Sequence, residues 1–532
     1  MSMLRSMLSF SAMTFISRIL GLLRDMAISS VFGVSAATDA FWVAFRIPNF
    51  LRRLFAEGAF STAFVPIITE VKQTQSHAAL RELISRTAGT LGAVLLLVTA
   101  LGVFGAEWVT EIFSPGAIEQ PEKFQLTSNL LRITFPFLLF VSLTALSGGV
   151  LNSFNRFALA AITPVILNLC MIAGALWLAP RLQVPIMALA WSVLVAGILQ
   201  LLLQLPALRR LNLLSLPRWG WSHPDVRRIL KLMIPSLFGS SIMQVNLLLD
   251  TLIASFLISG SQTWLSQTDR LLELPLGVFG VALGTVILPS LSRHHVSTDR
   301  DGFAKALDWG LRTALLISLP AMLALVLLAK PIIATLFLHG AFKPHDVEMT
   351  ALSLSALSLG LPAFALVKVL APAFYSRQDT TTPVRAGVAA MVANMAMNFL
   401  FVGTLFLCWR GPANQSGALL AQIQAIPGLH AGLALASALA SYLNLWLLWR
   451  ALGRDGIFVS QPGWASHSLR LLAACAALVS VLLLGLWCWQ DWPAMAVAMR
   501  VFRLGVLIAG AGMAFVATLF ACGFRLRDLH AH

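Results

Sequence analysis

Four arginines, Arg18, Arg24, Arg52 and Arg270, stand in stretches that are otherwise apolar, as in "SRILGLLRDMAISSVFG" (Ser17 to Gly33) and "TDRLLELPLGVFG". A guanidinium stays charged in any surroundings, and its planar fork meets phosphate oxygens through two parallel hydrogen bonds. Asp25, Asp39, Glu57, Asp250, Asp269 and Glu273 accompany them, with Arg46, Arg53, Arg132 and Lys368 at similar depth. A charge at the centre of a membrane span costs about 2.5 to 3.5 kcal/mol, so such a set cannot face lipid. A shared, hydrated interior satisfies it, and the ligand it implies is phosphorylated or otherwise polyanionic.

That these stretches are spans follows from composition. Hydrophobic residues make up 58% of the 532, charged residues only 11%, and the mean hydropathy is +0.83, far from a soluble domain, where about a quarter of residues are charged. The net charge of +15 is dispersed between apolar runs and builds no continuous basic face, so nucleic acid is excluded as a partner. The five cysteines form no CxxC pair, and neither a disulfide framework nor a metal site is indicated. Arg5 and the run after it superficially resemble a signal peptide, but no small-residue cleavage site follows, and the segment is expected to be retained.

Runs of about 20 apolar residues predict about fourteen transmembrane helices, centred near 20, 50, 97, 140, 169, 196, 243, 278, 318, 361, 395, 438, 477 and 511. The fold expected is an all-α polytopic membrane protein. With a cytoplasmic N-terminus, alternate loops collect Lys72, Arg81 and Arg86, then Arg209, Arg210, Arg218, Arg227, Arg228 and Lys231, then Arg293 and Arg300, while Lys123 and the acidic Glu107, Glu111, Glu119 and Glu122 fall outside. That is the positive-inside pattern, and it places both termini in the cytoplasm. Sliding the chain by about 224 residues sets Asp25 against Asp250, Arg46 against Arg270 and Pro66 against Pro289. Two same-sense lobes of six helices are therefore expected, 1–220 and 221–455, followed by two further helices in 456–532.

Several charges have a second, structural reading. Arg24 could be neutralised by Asp25 or Asp39. Arg18 lies six residues earlier, roughly 120° away on an ideal helix, and Gly21 would permit a break that aligns the two. Arg52 and Arg53 follow Pro48 and could be interfacial anchors; Glu57 could pair with Arg52, and Arg270 with Glu273. Asp250 with Asn394 and Asn398 could hold a hard monovalent cation, though hydrogen bonding between helices is the commoner use of membrane Asn. A P-loop, an HExxH and a serine triad are all absent from the sequence, so the expectation is a transporter without cofactor, driven by membrane potential or a monovalent cation.

The stretches "SRILGLLRDMAISSVFG", "ATDAFWVAFRIPNFLRRLFAEGAFSTAFVP", "RITFPFLLF", "VLNSFNRFA", "DRLLELPLGVFGVALGTVILPSLS", "KVLAPAFYSRQDTTTPV" and "QPGW" resemble the MurJ (MviN) family of lipid II flippases, within the multidrug and polysaccharide exporter superfamily, along essentially the whole chain. The resemblance implies a central cationic cavity with Arg18, Arg24, Arg52 and Arg270 binding substrate, Asp39 and Glu57 among its polar positions, and a lipid-tail groove at the last two helices. It implies lipid II as partner, membrane lipids around it, and the cell-wall synthesis machinery as a neighbour. The alternatives are a flippase for another polyprenyl-diphosphate oligosaccharide and a multidrug exporter of the same superfamily. The segment from Arg410 to Gly428 is longer than the family's connection requires.

Overall fold

Apolar side chains point outward as well as inward. Leu97, Phe104, Leu400, Leu407, Leu484 and Phe502 are all more than half exposed, and this is the arrangement required when lipid tails rather than water surround the helices. A computed structural model describes residues 2–53, 59–154, 156–297, 299–409, 419–454 and 461–525, and no strand occurs among them. Glu57 lies outside the described residues, as does the 410–418 part of the long connection.

By internal contacts the chain forms two compact units, Met1–Thr263 and Trp264–His532. The first holds α1 (Ser2–Phe32), α2 (Ala36–Arg52), α3 (Ala59–Thr74), α4 (His77–Phe104), α5 (Ala106–Phe113), α6 (Pro121–Thr134), α7 (Phe137–Ser153), α8 (Phe157–Ala161), α9 (Thr163–Ala173), α10 (Met187–Arg210) and α11 (Pro224–Ala254). The second holds α12 (Ser261–Val296), except for its first residues, then α13 (Arg300–Leu327), α14 (Ala329–Phe337), α15 (Pro344–Ser358), α16 (Leu361–Tyr375), α17 (Thr381–Trp409), α18 (Leu419–Ala425), α19 (His430–Arg454), α20 (Trp464–Cys488) and α21 (Val497–Ala521).

Nine stretches among the described residues are long and apolar enough to cross a membrane, ten if the α15–α16 pair, bent by 40°, counts as one. The other centres read from sequence fall on α1, α2, α11 and α12, the helices that carry the fixed charges.

Element order repeats. The 31-residue α1 is separated by α2 and α3 from the 28-residue α4, and the 31-residue α11 by the single long α12 from the 28-residue α13. A short helix and a broken pair come next each time. The boundary expected at 220/221 falls between α10 and α11, but α11 packs on α3 inside the first unit, where Met233 and Leu248 join its core and Arg228 bonds Glu70 at 3.0 Å. Repeat and compact unit are thus different partitions, because packing follows complementary faces rather than duplication.

Local signals account for several helix starts. Ser35 and Thr38 form a reciprocal capping box that opens α2, and Ser76 caps α4. At α17 the "RQDTTTP" stretch does the same: Asp379 Oδ1 accepts from Thr381 N and Thr382 N, both at 3.0 Å, and from Thr381 Oγ1 at 2.9 Å. Hydrogen bonds from Thr382, then Thr381, hold its carboxyl at about 2, below an ordinary aspartate near 3.9. Because the folded value is the lower one, the cap contributes fully above about pH 4 and fades as pH falls towards about 2. Asp379→Ala should cost about 1 kcal/mol at neutral pH, seen as faster amide exchange in the first turn of α17. The difference from wild type should narrow on acidification.

Candidate functional site

In α1 the charges are deeply placed. Arg24 is 3% exposed and Asp25 4%. Arg24 Nε and Nη2 donate to Asp25 Oδ1 at 2.9 and 2.6 Å, and Nη1 donates to Asn168 Oδ1 on α9 at 3.1 Å. Asn168 in turn donates from Nδ2 to the Ser17 carbonyl at 3.0 Å, so its amide bridges two turns of α1. The fork explains why arginine stands here, since an ammonium could not point along two divergent directions with fixed geometry. The break that Gly21 would permit is not taken: α1 is continuous, with Asn168 packed beside Gly21. Arg18, half-buried, keeps its helical offset from Arg24.

Asp39 occupies a different place. It is 1% exposed, and its Oδ2 accepts from Gly260 N at 2.6 Å while Oδ1 accepts from Thr263 N at 2.9 Å and Thr263 Oγ1 at 2.7 Å. Those are the unsatisfied donors at the start of α12, so a carboxylate from α2 caps a helix more than two hundred residues away in sequence. Lys123 Nζ stands 3.6 Å from Oδ2 and is itself buried. The sequence reading treated Lys123 as a loop charge, but it lies in the first turn of α6 and is drawn inward by this carboxylate.

Elsewhere in the first unit, Arg52 Nε donates to Asn49 Oδ1 at 2.9 Å at the end of α2, with Arg53 at the C-cap. Arg46 Nη1 donates to Thr251 Oγ1 at 2.7 Å. Arg132 pairs with Glu107 at 2.6 Å, an exposed pair. Asp250 accepts from Asn246 Nδ2 at 3.3 Å.

In the second unit Arg270 faces Glu273 at 3.3 Å, with side chains 35% and 54% exposed. At such exposure the pair contributes little to stability. Asp269 is its half-buried neighbour. Lys368 Nζ donates to the Leu276 carbonyl at 3.2 Å. Asn394 and Asn398 are fully buried on α17, and Asn394 accepts from Ser437 of α19 at 3.4 Å, the interhelical contact that competes with the cation reading.

The last two helices are fastened at opposite ends. At the start of α20, Trp464 Nε1 donates to Asp308 Oδ1 at 2.6 Å, while Arg312 donates to the Pro462 carbonyl at 2.9 Å and lies over the Trp464 ring. That is the work of "QPGW", whose Gly463 adopts φ +96. At the start of α21 the buried Arg500 donates to the carbonyls of Ala334 and Leu338 at the end of α14, at 2.5 and 3.3 Å.

The sequence profile of the lipid II flippase MurJ family matches residues 28–503. The chain belongs to that family. A Vibrio cholerae serotype O1 protein described as a probable lipid II flippase MurJ is 44% identical over 99% of this chain and 98% of its own. A solved MurJ in an inward closed conformation is 26% identical, covers 96% of this chain and 99% of its own, and superposes with a TM-score of 0.76. An inward-facing multidrug transporter of the MATE family matches over 85% of this chain and 98% of its own with a TM-score of 0.63, at 13% identity, and thus shares the fold alone.

For this MurJ family member, sequence reasoning missed Asn168, Thr263 and the inward turn of Lys123. Asn168 alone carried a signal, an amide inside the apolar run "VILNLCMI". Thr263 and Lys123 could be found only through Asp39.

Proposed function

We propose that this multi-pass protein is a transporter, not an enzyme, and carries lipid II from the inner to the outer leaflet of the bacterial cytoplasmic membrane. The observation that carries the reading is full-length similarity to proteins named lipid II flippases. Arg18, Arg24, Arg52 and Arg270 serve as the cationic contacts to the diphosphate, Asp39 and Glu57 as polar positions, and Asp25, Asp269 and Glu273 as their ion-pair partners. The site opens alternately to the two leaflets while the polyprenyl tail stays in lipid beside α20 and α21.

Both termini face the cytoplasm. An inside-negative potential favours outward movement of an anionic head group by about 2.3 kcal/mol per charge per 100 mV. The return step is coupled to that potential or to a monovalent cation, with Asp250 as its carboxylate and Asn394 and Asn398 as amide ligands. The cell-wall synthesis machinery supplies and consumes the cargo.

The test is lipid II exposure at the outer face of depleted cells, read with an impermeant enzyme that cleaves the head group. Wild type should restore cleavage and Arg270→Ala should not, although it inserts normally. Cleavage that persists on depletion would sink the reading and turn attention to another polyprenyl-diphosphate oligosaccharide, or to drug export read by dye resistance.

A further inference from the structure

The segment joining α10 to α11, "LNLLSLPRWGWSH" (Leu211 to His223), is held against α4 by its backbone. Arg218 N donates to the Ser85 carbonyl at 3.0 Å, Ser85 Oγ donates to the Leu216 carbonyl at 2.5 Å, and Gly220 N donates to Thr90 Oγ1 at 3.0 Å. The approach is so close that a Cβ on Gly89 of α4 would lie 2.2 Å from the Arg218 carbonyl oxygen. Leu213 is buried in the core, while Leu216, Trp219 and Trp221 turn out. Trp219 and Trp221 stack at 6.0 Å and 10°, both exposed, and Leu216 is 84% exposed.

Around them gather cations. Arg228 pairs with Glu70 and Arg86 with Glu82, but Arg81, Arg209, Arg210, Arg218 and Lys231 have no carboxylate partner among the described residues. Arg81 and Arg209 line one concave site of about 250 Å³ with Asn212 and Leu214. Arg209 lies in the last turn of the α10 span and Arg81 in the first turns of the α4 span, which sets the site at the membrane–water boundary, where stacked tryptophans sit by preference. Asn212, at φ +55, ends α10 and turns the chain along this rim.

We infer that the Arg81–Arg209 site binds the phosphate of an anionic phospholipid head group in the leaflet that this strap faces, with Leu216 and the Trp219–Trp221 pair lying among its acyl chains. Two unneutralised guanidinia converge on a pocket of head-group size. An exposed leucine and two exposed indoles beside them are suited to a lipid and not to a free anion. A rigid strap also adds little ordering cost on binding. The site is separate from the arginines assigned to the cargo, so its failure leaves the flippase reading standing.

The experiment uses the full chain in detergent, with phosphatidylglycerol, phosphatidylcholine and inorganic phosphate as probes and native mass spectrometry as readout. Each surface cation contributes about fivefold to anionic-lipid affinity. Arg81→Gln with Arg209→Gln should therefore weaken phosphatidylglycerol binding about thirtyfold and leave phosphatidylcholine unchanged. Arg81→Lys with Arg209→Lys should retain most of the binding, which separates charge from misfolding. Arg293→Gln with Arg300→Gln, on another basic connection, should have little effect. Equal losses in the two glutamine pairs, no loss in either, or displacement of the lipid by millimolar phosphate would each overturn the assignment.

Discussion

Arg24→Ala should abolish complementation and, separately, lower the stability of the first unit by about 3 to 5 kcal/mol, because it leaves a buried carboxylate without its cation. Asp25 is 4% exposed and receives two guanidinium bonds from its neighbour, so the single substitution confounds a structural loss with a functional one. The double substitution Arg24→Ala with Asp25→Ala removes both charges, and its thermal midpoint in detergent should recover most of the way to wild type. Complementation should stay absent, since no fork remains for a diphosphate. A double variant that both folds and supports growth would reduce Arg24 to a structural partner of Asp25, the alternative that the sequence left open. Arg24→Lys should keep the charge and fold, but lose the simultaneous reach to Asp25 and Asn168, and complement weakly.

The second large effect belongs to Asp39. Asp39→Ala removes the cap of α12, worth about 1 kcal/mol, and leaves the buried Lys123 ammonium unpaired at about 3 to 5 kcal/mol. A thermal midpoint well below wild type is expected, with amide exchange fastest around Gly260–Thr263. Adding Lys123→Met, which keeps length and apolarity, should restore several kcal/mol and leave only the cap deficit. If the double variant is no more stable than Asp39→Ala, the ion pair at 3.6 Å contributes nothing and the cap is the whole of the effect. Asp39→Asn should fall between, because an amide oxygen still accepts from one backbone N–H while its nitrogen repels the other.

Arg24 and Asp25 are adjacent, so their pairing was visible as one of two readings, and the apolar run around them placed both at membrane depth. Asp39 was equally visible as a charge in an apolar run, and both its depth and the family resemblance assigned it to the hydrated interior. Its geometry here, committed to Gly260, Thr263 and Lys123, depends on contacts far apart in sequence, and no local pattern encodes those.

Apolar run length and the scarcity of charge alone determined that the chain is all-helical and multi-pass. Those properties follow from the bilayer, which requires every backbone polar group to be satisfied within a segment, so each span is legible by itself. Tertiary structure alone decided that α11 packs with the first unit, that α1 runs unbroken past Gly21, that Asn168 braces Arg24, and that two arginines fasten α20 and α21 at opposite ends. Those are choices among partners, and a buried polar group takes whichever donor or acceptor the packing brings within about 3 Å.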